Sequence, residues 1–214
     1  MLSSIIEDLR RRLYEVSKEH GIASNKLLEL SREFEQYTNF YHRVNTKSYN
    51  PFSPDAKVHS NAIQNILEVA NKEKLQLPSF IINDKKFFEE AWFQMDLVNY
   101  LLFYIEKNHG KDAVEYIGAQ VPKHCFLPDS IQYFKDSIQT LDNAFHLNHK
   151  SSKFIGEYLP YMDTKNEVVL FCNTPYYPAH FNLGLVKGLA TKFNSPLKIA
   201  LLDEENGGQF KISV

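Results

Sequence analysis

The sequence has few of the residues that mark a secreted or metal-stabilised protein. Its 214 residues include two cysteines, Cys125 and Cys172, which lie far apart in the chain. Two distant cysteines form neither a disulfide framework nor the closely spaced pairs of a structural zinc site. We therefore expect no metal site, and a reducing compartment, the cytoplasm, as the location of the protein.

Long apolar runs and an excess of one charge are also missing. No stretch is long and apolar enough to span a bilayer. Apolar residues precede Arg10, Arg11 and Arg12, which is the reverse of the order in a signal peptide. A formal net charge of -2 gives no broad electrostatic reason to bind nucleic acid or an anionic membrane.

The common motifs of hydrolases and nucleotide-binding enzymes are absent from the sequence. There is no Gly-x-Ser-x-Gly elbow, no phosphate-cradling glycine loop and no His-Glu-x-x-His pair. Gly207 and Gly208 open no predicted helix, so they do not form a dinucleotide loop. A hydrolase that acts alone is therefore the least supported function.

Apolar residues at helical spacing predict two helices at the amino terminus. In the first helix, which stops at Gly21, the apolar stripe consists of Leu2, Ile5, Leu9, Leu13 and Val16. In the second, which Ser24 or Asn25 caps, it consists of Leu27, Leu30, Phe34, Tyr37, Tyr41 and Val44. The two stripes predict an antiparallel helical hairpin over residues 1–45.

Residues 46–58 are predicted to be a linker, because Pro51 and Pro54 exclude a continuous helix. Beyond it, helices are predicted over 56–72, 85–107, 112–121, 129–146 and 179–193. Strands are predicted over 153–162, 167–172, 197–202 and 209–214. Helices thus come first and a small antiparallel sheet comes last. The predicted fold class is α+β, with a ligand-binding domain over residues 59–214.

A polar line runs beside the apolar stripe of the second helix. Ser31, Glu35, Thr38 and His42 follow one another at intervals of four, three and four residues, so they share one helix face. A partner protein could bind along this line. The solvated face of any helix pair has the same spacing, so the pattern alone leaves both interpretations open.

The segment Ser31-Arg32-Glu33-Phe34-Glu35 resembles the Ser-Gln-Glu-Leu-Asp motif of the sporulation stage-zero aspartyl-phosphate phosphatase family. Small members of that family are helical hairpins that bind phosphorylated response regulators. The resemblance implies a response regulator as the partner and Glu35 as the catalytic carboxylate. It also implies Ser31, Arg32, Glu33, Thr38 and His42 as partner-binding residues. Glu35 replaces an Asp, and a misplacement of about 1 Å can cost on the order of 10²-fold in rate.

The predicted helix over 85–107 is apolar around much of its circumference, which makes it a candidate wall of an internal pocket. Its apolar residues are Phe87, Phe88, Trp92, Met95, Val98, Leu101, Leu102 and Ile105. A filled core is the alternative.

Neutral histidines can ligate haem iron. The candidate ligand-binding residues of this domain are Trp92, Met95, His146, His149 and Tyr176.

Three segments of the carboxyl-terminal domain resemble the vinyl-reductase-like superfamily. They are Leu141 to His149, Phe171 to Pro178 and Phe181 to Gly188. That superfamily includes haem nitric-oxide sensors and a vesicle-tethering subunit that carries an acyl chain. The resemblance implies haem or a lipid-like molecule as the ligand.

Three functions remain open on the sequence. The first is a regulator that docks on a response regulator through its hairpin, promotes aspartyl-phosphate hydrolysis and senses a small molecule. The second is a non-enzymatic sensor of haem or a hydrophobic ligand. The third is a homodimeric interaction scaffold, since heptad-like stripes pair between chains as readily as within one.

Overall fold

A computed structural model of the protein describes residues 1–46, 55–78, 91–127, 131–162, 164 and 166–213. The chain divides into two compact units, residues 1–48 and 49–214. Most of the predicted linker, including Pro51 and Pro54, lies outside the described residues. The domain bounds derived from the sequence therefore stay a prediction.

The first unit is a pair of helices, α1 (Leu2–His20) and α2 (Asn25–Thr46). Gly21 ends α1 with a φ of +77°, and its N–H donates to the Ser17 carbonyl at 3.1 Å. Ser24 accepts from the Leu27 N–H through its side chain at 3.3 Å, which satisfies a donor in the first turn of α2. The short turn returns the chain, and the two helices pack against each other.

The buried stripe of the hairpin follows the predicted spacing with one correction. The buried side chains are Ile5, Leu9 and Val16 on α1 and Leu30, Tyr37 and Phe40 on α2. Tyr41, predicted in the stripe, is 41% exposed, whereas Phe40 is 2% exposed. Neighbouring side chains on a helix point about 100° apart, so the side chain buried at this position is Phe40 rather than Tyr41.

The second unit is α+β, as the sequence predicts. Its helices are α3 (Ser60–Lys72), α4 (Met95–His109), α5 (Lys111–His124), α6 (Phe134–Gln139), α7 (Leu141–Leu147) and α8 (Ala179–Lys192). Its strands are β1 (Lys57–His59), β2 (Trp92–Gln94), β3 (His149–Lys150), β4 (Glu157–Met162), β5 (Glu167–Asn173), β6 (Lys198–Asp203) and β7 (Gln209–Ser213). A 3₁₀ turn, Glu205–Gly207, joins β6 to β7.

The last four strands form the small antiparallel sheet that the sequence predicts, in the order β4-β5-β7-β6. The central strand β7 buries alternate residues, whereas β5 is buried at every residue after Glu167. Leu170 of β5 lies opposite Phe210 of β7, and neither is exposed. A second antiparallel sheet, in the order β2-β1-β3, is not predicted by the sequence. Its strands are two or three residues long, too short to show a period.

Three predicted helices need correction. The helix over 56–72 begins only at Ser60, because residues 57–59 pair with β2. The helix over 85–107 begins only at Met95, and Phe87 and Phe88 lie outside the described residues. The helix over 129–146 is two short helices that meet at Thr140. Strand pairing and helix breaks of this size depend on distant residues that local periodicity does not contain.

Helices α5 and α8 approach closely because three glycines lie at their crossing. A Cβ on Gly184 or Gly188 would lie less than 3.0 Å from the carbonyl oxygen of Glu115 or Ala119, respectively. Gly118 of α5 stands in the same relation to the backbone of Phe181. The absence of side chains brings the two backbones into direct contact and buries most of α8.

Across the described part of the chain, no helix has the length and apolar character needed to cross a membrane.

Candidate ligand-binding site

A cavity of about 70 Å³ lies inside the second unit, residues 49–214, which we call the cavity domain. Its described lining comes from β1, α3, α4, α5, α7, β3, β4 and α8. We call this cavity the channel. No Asp, Glu, Lys or Arg is among the described lining residues, so the interior carries no formal charge.

Stacked aromatic rings form one wall of the channel. Phe145 of α7 stacks on His149 with ring centroids 4.0 Å apart, and Tyr177 stacks on Phe181 of α8 at 5.0 Å. Tyr158 of β4 meets Phe145 edge to face at 5.5 Å. These rings come from α7, β3, β4, α8 and the loop before α8, and their mutual packing gives the channel an apolar wall.

His149 is neutral and has both ring nitrogens occupied. Its Nδ1–H donates to the Phe145 carbonyl at 2.7 Å, and its Nε2 accepts from the Tyr177 hydroxyl at 2.7 Å. Burial lowers the pKa of His149 to about 4, because the charged imidazolium would lose its hydration. The same loss of water raises the pKa of the Tyr177 hydroxyl well above its usual value.

A buried polar network holds Tyr158 in the wall. The Tyr158 hydroxyl donates to Asn182 Oδ1 at 2.8 Å. Asn182, which is fully buried, donates through Nδ2 to the Gly207 carbonyl at 2.7 Å and to Thr174 Oγ1 at 3.1 Å. The network thus ties β4, α8 and the turn after β6 together behind the channel.

The opposite wall is formed by α3 and the end of α5. Ile66 contributes apolar surface, and Asn65, 1% exposed, contributes an amide. Cys125 follows α5 and also lines the channel. Desolvation raises the pKa of its thiol to about 12, so Cys125 is a neutral thiol at neutral pH.

The structure places the predicted ligand-binding residues at different sites. His149 lines the channel, whereas Trp92, Met95, His146 and Tyr176 are not among its described lining residues. Met95 is fully buried in the core, and the His146 Nδ1–H donates within α7 to the Asp142 carbonyl at 2.8 Å. The Lys150 ammonium lies over Trp92, 3.8 Å from the centroid of the indole ring. Their ligand contacts stay predictions.

The hairpin presents its predicted site residues at the surface. Glu35, Arg32 and His42 are exposed. Ser31, Glu33 and Thr38 are partly exposed, and the Thr38 hydroxyl donates to the Phe34 carbonyl of its own helix at 2.8 Å.

Sequence reasoning missed most of the lining residues, among them Asn65, Tyr177 and Phe181. No local pattern identifies them, since they come from distant helices and a loop.

Comparisons with known proteins identify the fold of the cavity domain. No family model matches the chain, and no curated protein matches it. An H-NOX protein from Shewanella oneidensis in the Fe(II)NO ligation state superposes with a TM-score of 0.50 at 16% identity, over 71% of this chain and 96% of that chain. An unliganded Fe(II) H-NOX protein from K. algicida gives 0.50 and 16% over 72% and 95%. These likenesses show the fold, in agreement with the superfamily resemblance of the sequence.

The described channel does not have the groups that haem requires. An axial histidine needs a ring nitrogen available to iron, yet both nitrogens of His149 are engaged. The other lining histidine, His59, accepts the Asn61 N–H through Nδ1 at 3.3 Å as a helix cap. The described lining has no Lys or Arg to pair with the carboxylates of haem, and about 70 Å³ is far below a typical ligand pocket of ~300–1,000 Å³. The described residues therefore do not fit haem.

Proposed function

We propose that the protein is a sensor whose cavity domain binds a small, uncharged, mainly apolar molecule and catalyses no reaction on it. The uncharged channel with its stacked aromatic wall carries this proposal. Apolar cavities of this kind stay dry and bind small hydrocarbons, because water gains too few hydrogen bonds inside them. A narrow ring or a short alkyl chain suits the volume.

The polar groups of the wall support binding rather than catalysis. Cys125 is held as a thiol, and His149 as a neutral ring whose nitrogens are both used. Neither group is poised as a nucleophile or a general base. A ligand would be recognised by shape and apolar contact.

The test is binding of benzene, measured as a rise in thermal stability and as NMR shift changes of the methyl groups around the channel. Ala144 lines the channel, so Ala144→Leu fills it and is expected to abolish the response. Ala113→Leu on α5, which is partly exposed and not among the described lining residues, serves as the matched control.

Absence of a benzene response in the unaltered protein would overturn the proposal. So would a response that Ala144→Leu leaves intact, because the probe would then bind elsewhere. A haem absorption band in the purified protein would replace the apolar ligand with haem.

A second function is proposed for the hairpin: docking on a response regulator and assisting hydrolysis of its aspartyl phosphate. Its support is the exposed carboxylate of Glu35 on the same face as His42, beside a partly exposed Ser31. A carboxylate can orient or deprotonate a water molecule, which is worth roughly 10²- to 10⁴-fold where the geometry is right.

The hydrolytic role is tested on response regulators phosphorylated with acetyl phosphate. Glu35→Ala is expected to lower the dephosphorylation rate by about 10²-fold or more, whereas Glu29→Ala, also exposed on α2, should leave it unchanged. Equal rates for the unaltered protein and Glu35→Ala would remove the enzymatic role. Sedimentation at several protein concentrations tests the third function, the homodimeric scaffold. A mass that rises with concentration would indicate it.

A further inference from the structure

The hydrogen-bonding groups of the channel wall are almost all satisfied by the protein itself. Asn148 donates through Nδ2 to the carbonyls of Ala144 and Phe126 at 2.7 and 2.9 Å, and its Oδ1 accepts the Phe126 N–H at 3.1 Å. Both nitrogens of His149 are engaged. These groups hold the wall together and have little capacity left for a ligand.

The two tyrosine hydroxyls of the wall are committed in the same way. Tyr158 donates its proton to Asn182 at 2.8 Å, and Tyr177 donates its proton to His149 at 2.7 Å. A ligand would therefore meet mainly apolar ring surface on this side of the channel.

Asn65 on α3 is the exception among the described lining residues. Its Nδ2 donates to the Ile117 carbonyl of α5 at 3.0 Å, which fixes the orientation of the amide. Its Oδ1 is buried and has no hydrogen-bond partner among the described residues. A buried carbonyl oxygen without a donor costs free energy that a ligand donor would recover.

The absence of formal charge around this acceptor restricts the donor. The described lining has no carboxylate to pair with an ammonium group, so a cationic ligand would enter at a high desolvation cost. A ligand with a neutral O–H or N–H group avoids the cost of desolvating a charge.

We infer that the ligand of the channel is a neutral molecule with an apolar body and one hydroxyl or amide N–H, which donates to Asn65 Oδ1. This inference rests on the proposed sensor function. Asn65 would select the ligand and its orientation, while the aromatic wall would supply most of the contact surface.

The inference is tested with two isomeric probes, n-hexanol and methyl pentyl ether. They have the same atoms and similar apolar bodies, but only the alcohol donates a hydrogen bond. The unaltered protein is expected to bind the alcohol about tenfold more tightly, measured by NMR titration, with the Asn65 side-chain amide among the shifted signals. This comparison uses only the unaltered protein, so its result does not depend on whether a variant folds.

Two variants test which residue makes the protein prefer the alcohol to the ether. Asn65→Leu is expected to reduce the ratio of the two affinities to about one, because the acceptor is gone. Asn99→Leu is the matched control: Asn99 is 3% exposed and its amide has no partner among the described residues, yet it is not one of the described residues that line the channel. It should keep the tenfold ratio.

Equal binding of the two isomers by the unaltered protein would overturn the inference and leave the apolar sensor intact. Binding of neither isomer, together with no benzene response, would overturn the proposed function itself. A tenfold preference that survives in Asn65→Leu would move the donor site to another residue and also reject the inference.

Discussion

The hairpin and the cavity domain are both rich in helix, but they present their candidate functional groups in opposite ways. On α2 the polar line lies beside the buried stripe, and Glu35 is exposed to solvent. In the cavity domain the corresponding groups point inward, and Asn65, Tyr158 and Tyr177 are at most 4% exposed. The proposed docking site therefore lies on a surface, whereas the proposed ligand site lies in the interior.

The difference shows how much each kind of site depends on packing. A surface line on one helix survives small shifts of its neighbours, because its geometry is that of a single helix. A channel between several elements changes shape when any of them moves. Perturbing the packing of the cavity domain should therefore affect its site far more than a comparable change would affect the hairpin.

The largest effect is expected from Gly184→Val, which breaks the α5–α8 contact. The added side chain would meet the backbone of Glu115, and a backbone clash is not relieved by a change of rotamer. We expect a loss of about 3 kcal/mol or more in the free energy of unfolding, together with loss of benzene binding. Denaturant unfolding and the NMR titration measure both.

Thr191→Val is the control, since it places the same valine side chain on the exposed face of the same helix. Its effect should stay within about 0.5 kcal/mol. A Gly184→Val protein with the unfolding midpoint of the unaltered chain would mean that the close crossing of α5 and α8 does not hold the domain together.

A smaller effect is expected from His149, through the pH dependence of stability. Its pKa is lowered to about 4 in the folded protein, whereas an unfolded histidine titrates near 6.5. Between these values the unfolded chain binds a proton that the folded chain does not. The stability from this group is therefore complete above about pH 6.5 and is lost as the pH falls toward 4.

The expected loss is about 1–2 kcal/mol, reduced from the full shift because the His149 residue is partly exposed. His149→Phe should remove this part of the pH slope, measured by unfolding at several pH values between 4 and 7. His146→Phe, at an exposed position on the adjacent helix, should keep it. An unchanged slope in His149→Phe would show that another group carries the pH dependence.

The sequence predicted the fold correctly where the residues of a single helix or strand carry the pattern that identifies it. The spacing of Ile5, Leu9 and Val16 predicts α1. The α+β order follows from the change of period along the chain. The three-stranded sheet was missed, because Lys57–His59 and His149–Lys150 become strands only through pairing with each other.

The candidate site was predicted less well than the fold. His149 was singled out as a histidine near a helix end, and it does line the channel. Asn65 had no distinguishing pattern, since a single polar residue on an amphipathic helix is common. Its importance comes from an oxygen that burial leaves without a partner, and burial depends on what α5 places against α3.

By itself, the sequence determined the two helices of the hairpin, the fold class, the polar line of α2 and the absence of a long apolar span, because each depends on residues close together in the chain. Only the tertiary structure decided where the channel lies, that its described lining carries no formal charge, and that the nitrogens of His149 are occupied. Those properties arise from contacts between segments up to about a hundred residues apart, such as β1 with β3 and α3 with α5. Side-chain hydrogen bonds and cavities are consequences of such contacts, and no local pattern contains them.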